Sequence, residues 1–259
     1  MRFQGWTVIV TGGGYGIGRA IALAFGQGGA NVMLAARSRD KLEAVAAELR
    51  ALGTQPRVWE MSVADETKVA AMVREAHDRT GRLDVLVNNS GIAGPTRLAR
   101  DITPEEWRET LEVNLTGAFL CAKHAAVHMI ERRRGAIVNI ASVAARIGYP
   151  LRTPYAASKW GLLGLNHSLA AELGPYGIRV NAVLPGPTEG DRMRRVIAAR
   201  AQAEGKTAED TERWFTRDLP LGRMAKEDEV ASAVTFLASD AAAGITGQTI
   251  NVDAGYRMQ

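Results

Sequence analysis

Short apolar runs alternate along the chain with longer segments whose apolar residues recur at helical spacing. Most of the short runs are nearly continuous in apolar residues, which is typical of parallel strands covered on both faces. The pattern predicts seven strands at residues 6–10, 31–36, 57–61, 84–87, 136–140, 179–184 and 249–252.

The longer segments predict helices at residues 17–28, 39–52, 65–80, 104–132, 154–173 and 227–238. Ser38 and Thr103 stand where capping residues would begin two of them. Alternation of this kind predicts an α/β fold, a Rossmann-type doubly wound parallel sheet flanked by helices. No linker or composition break divides the chain, so we expect one domain over residues 1–259, with its ligands outside the carboxyl ends of the strands.

Composition narrows the function classes. Hydrophobic residues make up 46% and charged residues 23% of the 259 residues, as in globular proteins. No uncharged run reaches the roughly 18 residues of a membrane span. Only Met1 to Gly5 precede the first predicted strand, so we expect no signal peptide. Cys121 is the lone cysteine, and we expect a buried, reduced thiol and a cytoplasmic location.

The formal net charge is +4, but the basic residues are dispersed apart from two short arginine clusters without interleaved aromatic residues. We therefore expect no nucleic-acid partner. His124 and His128 are four residues apart, but no third ligand is evident nearby, so no metal site is predicted.

A glycine-rich segment joins the first predicted strand to the first helix, with glycines at positions 12, 13, 14, 16 and 18. Glycines permit a tight turn and a close backbone approach, and exposed amides at a helix start attract a diphosphate. An ordinary glycine-rich turn is the alternative. The predicted cofactor contacts of this segment are Gly12, Gly14, Tyr15, Gly16 and Ile17.

The end of the second strand bears on the choice of cofactor. Ala36 stands where a fold that binds NAD usually carries an acid, and Arg37 and Ser38 follow. An acid would repel a 2′-phosphate, whereas a guanidinium can bind it through two hydrogen bonds. We therefore predict a preference for NADP(H) over NAD(H), the alternative being that Arg37 is only a solvated charge.

Tyr155 and Lys159 are four residues apart on a predicted helix, and Ser142 lies upstream. This spacing places the ammonium on the same helix face as the phenol. A phenol has a reference pKa of about 10, and an adjacent cation lowers that value. Tyr155 would then be an acid–base group suited to neutral pH. In isolation, such a pair is also common on amphipathic surfaces.

Taken in order, these motifs resemble the short-chain dehydrogenase/reductase superfamily, in its branch of about 250 residues. The resemblance covers nearly the whole chain. Besides the glycine-rich segment and the Tyr155–Lys159 pair, it rests on Asn88 to Gly91, Asn114, Ser142, Pro185-Gly186, Ile245 to Gln248 and Val252 to Gly255.

The resemblance implies a catalytic group of four residues. Tyr155 would exchange a proton with the substrate oxygen, and Lys159 would bind the nicotinamide ribose and lower the phenol pKa. Ser142 would hydrogen-bond the substrate oxygen. Asn114 would hold a water that links Lys159 to solvent as a proton relay.

The resemblance also implies further cofactor contacts, at Ser62, Val63, Asn89, Ser90, Gly91, Pro185, Gly186 and Thr188. Three positions depart from the family pattern. Ser90 replaces an alanine, Ser62-Val63 lacks the aspartate that contacts adenine, and Gly190 stands where a threonine often binds the carboxamide. Thr188 is the nearby candidate to replace that threonine.

Residues 188–219 form a charged, helix-like insertion where the family covers its substrate. Arginines in it and near the predicted site loops prompt the hypothesis that the substrate is anionic, such as a carboxylate or a phosphopantetheine-linked acyl group. The alternative is that they are solvated. The arginines concerned are Arg97, Arg146, Arg152, Arg192, Arg194, Arg195 and Arg200.

The helix that starts near Tyr155 is apolar or small on more than one face, so the rest of the chain or a second subunit must cover it. With the resemblance, we expect a homotetramer, with a dimer as the next alternative. The expected activity is an NADP(H)-dependent oxidoreductase that interconverts a secondary alcohol and a ketone. A 3-oxoacyl-(acyl-carrier-protein) reductase is the alternative substrate class, and a non-catalytic dinucleotide sensor is the remote one.

Overall fold

Seven parallel strands form one sheet in a computed structural model that describes residues 2–256. All seven predicted strands are present, and each end lies within one residue of its expected place. The strands are β1 Thr7–Thr11, β2 Asn31–Ala36, β3 Arg57–Glu60, β4 Val85–Asn88, β5 Gly135–Ile140, β6 Ile178–Pro185 and β7 Thr249–Val252.

The spatial order of the strands is β3-β2-β1-β4-β5-β6-β7, so the connections run in opposite directions on the two sides of β1. β1 pairs with both β2 and β4. In an open parallel sheet, this reversal leaves a crevice at the carboxyl ends of the two central strands. The fold is therefore the doubly wound Rossmann-type sheet that the sequence predicts.

Nine α-helices flank the sheet among the described residues. They are α1 Gly16–Gln27, α2 Arg39–Ala51, α3 Glu66–Asp78, α4 Pro104–Leu111, α5 Gly117–Arg132, α6 Thr153–Leu173, α7 Asp191–Glu204, α8 Ala208–Thr216 and α9 Glu227–Ala238. Helices cover both faces of the sheet. Successive side chains of a strand point to opposite faces, so each strand packs against both helix layers. In β1, Val8 and Val10 pack on the side of α1, α2 and α9, whereas Ile9 packs on the side of α3 and α5.

The predicted helix over residues 104–132 is not continuous. A π-helical turn, Glu112–Thr116, separates α4 from α5, and Asn114 lies inside it. Periodicity of apolar residues does not reveal such a turn, because the residues on both sides of it keep helical spacing. A π turn widens the backbone locally and is frequent at functional sites.

Local sequence explains the helix starts to different degrees. Thr103 and Glu106 form a complete capping box, with both reciprocal hydrogen bonds present. Ser38 occupies the capping position of α2, but its side chain makes no capping hydrogen bond. Ser38 therefore stands at the expected cap position and α2 begins where expected, without the side-chain hydrogen bond.

The remaining predictions about the fold concern single features. Residues 188–219 are largely helical, as expected, and contain two helices, α7 and α8. Cys121 is fully buried, and burial raises the pKa of its thiol to about 12, so it is a core residue. Within residues 2–256, no helix combines the length and the apolar character needed to cross a membrane.

Candidate active site

The turn between β1 and α1 requires glycine at several positions. Gly12 and Gly16 adopt φ values of +66° and +60°, which favour glycine. A Cβ atom on Gly18 would lie 2.1 Å from the carbonyl oxygen of Gly12, so only glycine fits there. The turn leaves the first amides of α1 without helical partners, and such amides attract anions.

Two adjoining cavities of about 660 and 550 Å³ lie at the carboxyl ends of the central strands. Gly12, Gly14, Tyr15 and Gly91 line both of them. The larger cavity, which we call the catalytic cavity, is also lined by the predicted residues Gly16, Ile17, Asn89, Ser142, Tyr155, Lys159, Pro185, Gly186 and Thr188. The smaller one, which we call the distal cavity, is lined by Arg37, Ser38, Ser62, Val63 and Ser90. The structure thus brings together every predicted cofactor contact along one cleft.

The distal cavity is basic. Arg37 is exposed at its edge, and no carboxylate of residues 2–256 lies within ion-pair distance of it. The ring of Tyr15 contacts Lys41, with Nζ 4.9 Å from the ring centroid, and Arg195, with its guanidinium carbon at 6.0 Å. Lys41, Arg192 and Arg195 also line this cavity, so four cations surround it. A dinucleotide with an additional phosphate is compatible with this charge.

Tyr155 and Lys159 lie in the first turns of α6, with Lys159 buried and Tyr155 partly exposed to the catalytic cavity. Lys159 Nζ donates a hydrogen bond of 2.7 Å to the carbonyl oxygen of Ile140, the last residue of β5. Ser142 follows β5 and hydrogen-bonds Tyr155 through its side chain. The end of the strand and the start of the helix therefore hold the three side chains together.

The electrostatics of Tyr155 are dominated by burial and by nearby cations. Burial alone would raise the pKa of its hydroxyl. Lys159 and Arg192 outweigh that effect, and with help from the Ser142 hydrogen bond and Arg152 they lower the pKa of Tyr155 to about 8. Burial also lowers the pKa of the Lys159 ammonium to about 8, against the opposing influence of Tyr155. The pKa values of both groups are thus lowered towards neutral pH.

Asn114 lies behind the catalytic cavity and does not line it. Its Oδ1 accepts a hydrogen bond of 2.7 Å from the backbone amide of Ile92. Its Nδ2 donates to the Ile92 carbonyl at 3.1 Å and to Ser158 Oγ at 3.0 Å. The side chain of Asn114 thus joins the loop after β4 to α6, one residue before Lys159.

Gly190 departs from the family pattern for a steric reason. Its φ is +132°, and a Cβ atom there would lie 2.6 Å from a carboxylate oxygen of Glu227. A threonine would be strained at this position. Thr188 Oγ1 instead donates a hydrogen bond of 3.0 Å to the Gly186 carbonyl and lines the catalytic cavity.

Two arginines near Tyr155 are more closely involved than sequence alone indicates. Arg192, in α7, donates a hydrogen bond of 2.8 Å to the Gly91 carbonyl, across the cleft from its own helix. Its guanidinium carbon lies 6.0 Å from the centroid of the Tyr155 ring. Arg152 lies 5.0 Å from the same centroid. Among the other arginines considered, Arg200 forms an ion pair with Glu204, Arg97 with Glu106 and Arg194 with Asp191.

The histidines considered as metal ligands lie apart from the catalytic cavity. His124 Nε2 lies 3.1 Å from a carboxylate oxygen of Glu66. His128 stacks on His77 with a centroid distance of 4.2 Å and an angle of 17° between the rings. Because the two imidazole rings are nearly parallel, their in-plane nitrogen lone pairs do not converge on one point, as shared metal binding would need. Glu131 lies close to both histidines.

Comparison with known proteins gives consistent matches over the whole chain. A family model described as enoyl-(acyl carrier protein) reductase matches residues 12–257. A 3-oxoacyl-[acyl-carrier-protein] reductase, FabG, of Staphylococcus aureus is 40% identical over 253 residues, which is 97% of this chain and 98% of that protein.

Two solved structures are also similar. An NAD⁺-bound xylitol dehydrogenase superposes with a TM-score of 0.95 at 30% identity, covering 98% of this chain and 100% of the other. A variant of the actinorhodin polyketide ketoreductase with NADPH superposes with a TM-score of 0.94 at 34% identity, covering 98% of each chain.

The effect of the nearby cations on the pKa of Tyr155 can be measured without a substrate. In ¹³C NMR with labelled tyrosine, the Tyr155 side chain should titrate near pH 8, and Tyr155→Phe should remove that signal. Arg192→Ala should raise the pKa of Tyr155, because it removes a cation that stabilises the phenolate. Arg108→Ala is the matched control, since Arg108 is exposed, paired with Glu105 and outside both cavities. An unchanged pKa in Arg192→Ala would contradict the assignment.

Proposed function

Because the chain belongs to the short-chain dehydrogenase/reductase family, it is an oxidoreductase that acts on CH–OH or ketone groups with NAD(P), and we propose that it uses NADP(H) with Tyr155 as the acid–base residue. The observation that carries this proposal is that Ser142, Tyr155 and Lys159 meet in the catalytic cavity, where Lys159 and Ser142 lower the pKa of Tyr155. When bound, the nicotinamide supplies or accepts the hydride.

The residues of this chain move and hold the proton. In ketone reduction, the neutral Tyr155 hydroxyl donates its proton to the carbonyl oxygen. In alcohol oxidation, the phenolate accepts the proton from the hydroxyl. Ser142 is positioned to hydrogen-bond the same oxygen, and the Lys159 ammonium stabilises the phenolate. Oxidation should therefore increase as pH rises through about 8, and reduction should decrease above it.

We propose that Asn114, which lies behind the catalytic cavity, positions the proton relay between Lys159 and solvent. Its side-chain hydrogen bonds to Ile92 and Ser158 hold the loop after β4 against α6. A Cβ atom placed on Gly91 would lie 3.1 Å from Asn114 Oδ1 and 3.7 Å from Lys159 Nζ, so both groups border one small space. A water there could link Lys159 to solvent, as the family resemblance implies.

The dinucleotide is proposed to lie along the cleft, with its diphosphate at the turn after β1. The turn suits a diphosphate because Gly12, Gly14 and Gly16 line the catalytic cavity there without side chains. The 2′-phosphate would bind at Arg37, which has no competing carboxylate among residues 2–256. α7 and α8, within residues 188–219, would cover the substrate, since Arg192 already reaches across the cleft to Gly91.

A 3-oxoacyl-(acyl-carrier-protein) substrate is the second candidate. The FabG relative at 40% identity favours it. The remote alternative, a non-catalytic dinucleotide sensor, would not need the Tyr155 and Lys159 cluster. We place the activity in the cytoplasm, in keeping with the single buried cysteine.

Replacing the phenol tests the mechanism. Tyr155→Phe should lower kcat by about 10²- to 10⁴-fold with any substrate, because the proton donor is lost. NADPH binding, measured by fluorescence, should remain. Tyr176→Phe serves as the control, since Tyr176 is an exposed residue outside the cleft. Retained turnover in Tyr155→Phe would reject the proposed role.

Replacing Arg37 tests the cofactor preference. Arg37→Ala should lower kcat/KM for NADPH by about 10- to 100-fold, the loss expected for a hydrogen-bonded charge pair, with little change for NADH. Arg39→Ala is the control, because Arg39 is nearby and exposed but pairs with Glu43. A wild-type protein that strongly prefers NADH would refute the preference.

Self-association is tested at exposed apolar residues. Trp160 on α6 is 53% exposed and Phe119 on α5 is 44% exposed. We propose that a second subunit covers them in a homotetramer. Light scattering should give four times the chain mass of 27.8 kDa, and Trp160→Glu should reduce it. Leu52→Glu, at an exposed apolar position on α2's end, should leave the mass unchanged. A wild-type monomer would contradict the proposal, and a dimer would support the next alternative.

A further inference from the structure

Arg152 is the buried charge closest in sequence to the acid–base residue, three positions before Tyr155. It precedes α6 and is only 4% exposed. Its guanidinium carbon lies 5.0 Å from the centroid of the Tyr155 ring and 5.6 Å from that of Tyr149. The two rings meet edge to face, with centroids 6.4 Å apart. The guanidinium is thus held in place by aromatic side chains.

The charge of Arg152 has no counter-ion in this part of the chain. No carboxylate of residues 2–256 lies within 4.0 Å of it, whereas the other buried arginine, Arg200, forms a 2.8 Å ion pair with Glu204. One terminal nitrogen of Arg152 donates to the Ala93 carbonyl at 2.8 Å. Its Nε is buried without a hydrogen-bond partner. Burying a charge without a counter-ion is costly, so the arrangement calls for an anionic partner.

The place of Arg152 shows which kind of anion would fit. Arg152 and Tyr149 line the catalytic cavity together with Tyr155 and Ser142. A guanidinium presents parallel N–H groups that match the two oxygens of a carboxylate. Arg192, on the other helix of the cleft, adds positive charge on the same side of the catalytic cavity. An anion in this position would lie beside the ring whose hydroxyl acts on the substrate oxygen.

We propose that Arg152 binds the carboxylate of the substrate, and that the substrate is a short oxo acid or the matching hydroxy acid. This inference rests on the proposed function. Because Arg152 and the reacting hydroxyl stand at the same tyrosine ring, few carbons can separate the carboxylate from the carbonyl carbon. The carboxylate takes no part in bond making. In reduction, the carbonyl carbon gains the hydride and its oxygen gains the proton of Tyr155.

The inference separates free acids from thioesters. A 3-oxoacyl thioester has no carboxylate at this end of the molecule, so it would leave Arg152 without a counter-ion. A purely electrostatic role for Arg152 on Tyr155 is the other reading. That role would change the turnover of charged and neutral substrates by the same factor, and the comparison of the two is therefore decisive.

The experiment measures kcat/KM with NADPH for 2-oxobutanoate, 3-oxobutanoate, their methyl esters and a 3-oxobutanoyl thioester. Wild-type protein should prefer a free acid over its ester. Arg152→Gln should lower kcat/KM for that acid by about 10- to 100-fold and for the ester by less than about threefold. Arg152→Lys keeps the charge but lacks the parallel N–H groups of a guanidinium. Its kcat/KM for the acid should lie between those of wild type and Arg152→Gln. Arg108→Gln is the matched control, because Arg108 is exposed, pairs with Glu105 and lines neither cavity.

A second measurement does not depend on turnover. Butanoate, which has the carboxylate but no carbonyl to reduce, should bind the wild-type protein in calorimetry and bind Arg152→Gln at least tenfold more weakly. Circular dichroism of Arg152→Lys and Arg152→Gln checks that both variants are folded. If Arg152→Gln does not fold, the comparison of Arg152→Lys with wild type carries the test.

The outcomes distinguish the inference from the proposed function. Turnover of esters or the thioester without a preference for free acids would overturn the inference and leave the oxidoreductase proposal intact. Equal losses for acid and ester in Arg152→Gln would also overturn it. Absence of turnover with every substrate would count against the proposed substrate class, and butanoate binding would then decide on the carboxylate site alone.

Discussion

The site depends on positive charge that is concentrated around one phenol. Lys159, Arg192 and Arg152 all act on Tyr155, and none of them forms an ion pair with a carboxylate of residues 2–256. Burial alone would keep the phenol protonated, so without these cations Tyr155 would be a poor acid–base group at neutral pH. Their combined effect is a Tyr155 pKa of about 8.

Each of the three cations is held by a backbone carbonyl. Lys159 is tied to the end of β5 through the Ile140 carbonyl. Arg192 comes from α7 and is held by the Gly91 carbonyl, in the loop after β4. Arg152 precedes α6 and is held by the Ala93 carbonyl in the same loop. Backbone carbonyls carry only partial negative charge, so they orient the cations without neutralising them.

Much of this could be predicted from sequence. The strands were predictable to within one residue because most of them are buried on both faces, which favours nearly continuous apolar runs. The edge strands β3 and β7 are only partly buried. The glycine-rich turn and the Tyr155–Lys159 pair could be recognised from sequence because each motif consists of residues near one another in the chain. Together they predict the cleft. All the predicted cofactor contacts meet along it, since parallel strands end at the same edge of the sheet.

The features that were not predictable depend on residues far apart in sequence. The π turn at Asn114 coincides with hydrogen bonds from that side chain to Ile92 and Ser158, 22 and 44 residues away. The hydrogen bond from Arg192 to the Gly91 carbonyl joins residues 101 positions apart in the sequence. Arg152 could be predicted only as one of several arginines near the site. Neither its burial nor its missing counter-ion can be recognised from the residues around it in the sequence.

That missing counter-ion has a consequence for how stability is distributed in this chain. Asp84, buried beside β4, accepts hydrogen bonds from Arg82 and Arg132 and from the backbone amide of Thr7, so its charge supports the fold. At Arg152 the opposite holds: a charge is buried without the partner that would compensate its desolvation. Proteins commonly accept such a local cost at sites of function, where the ligand completes the interaction. The unpaired guanidinium is therefore better explained as one half of a binding interaction than as a stabilising feature of the core.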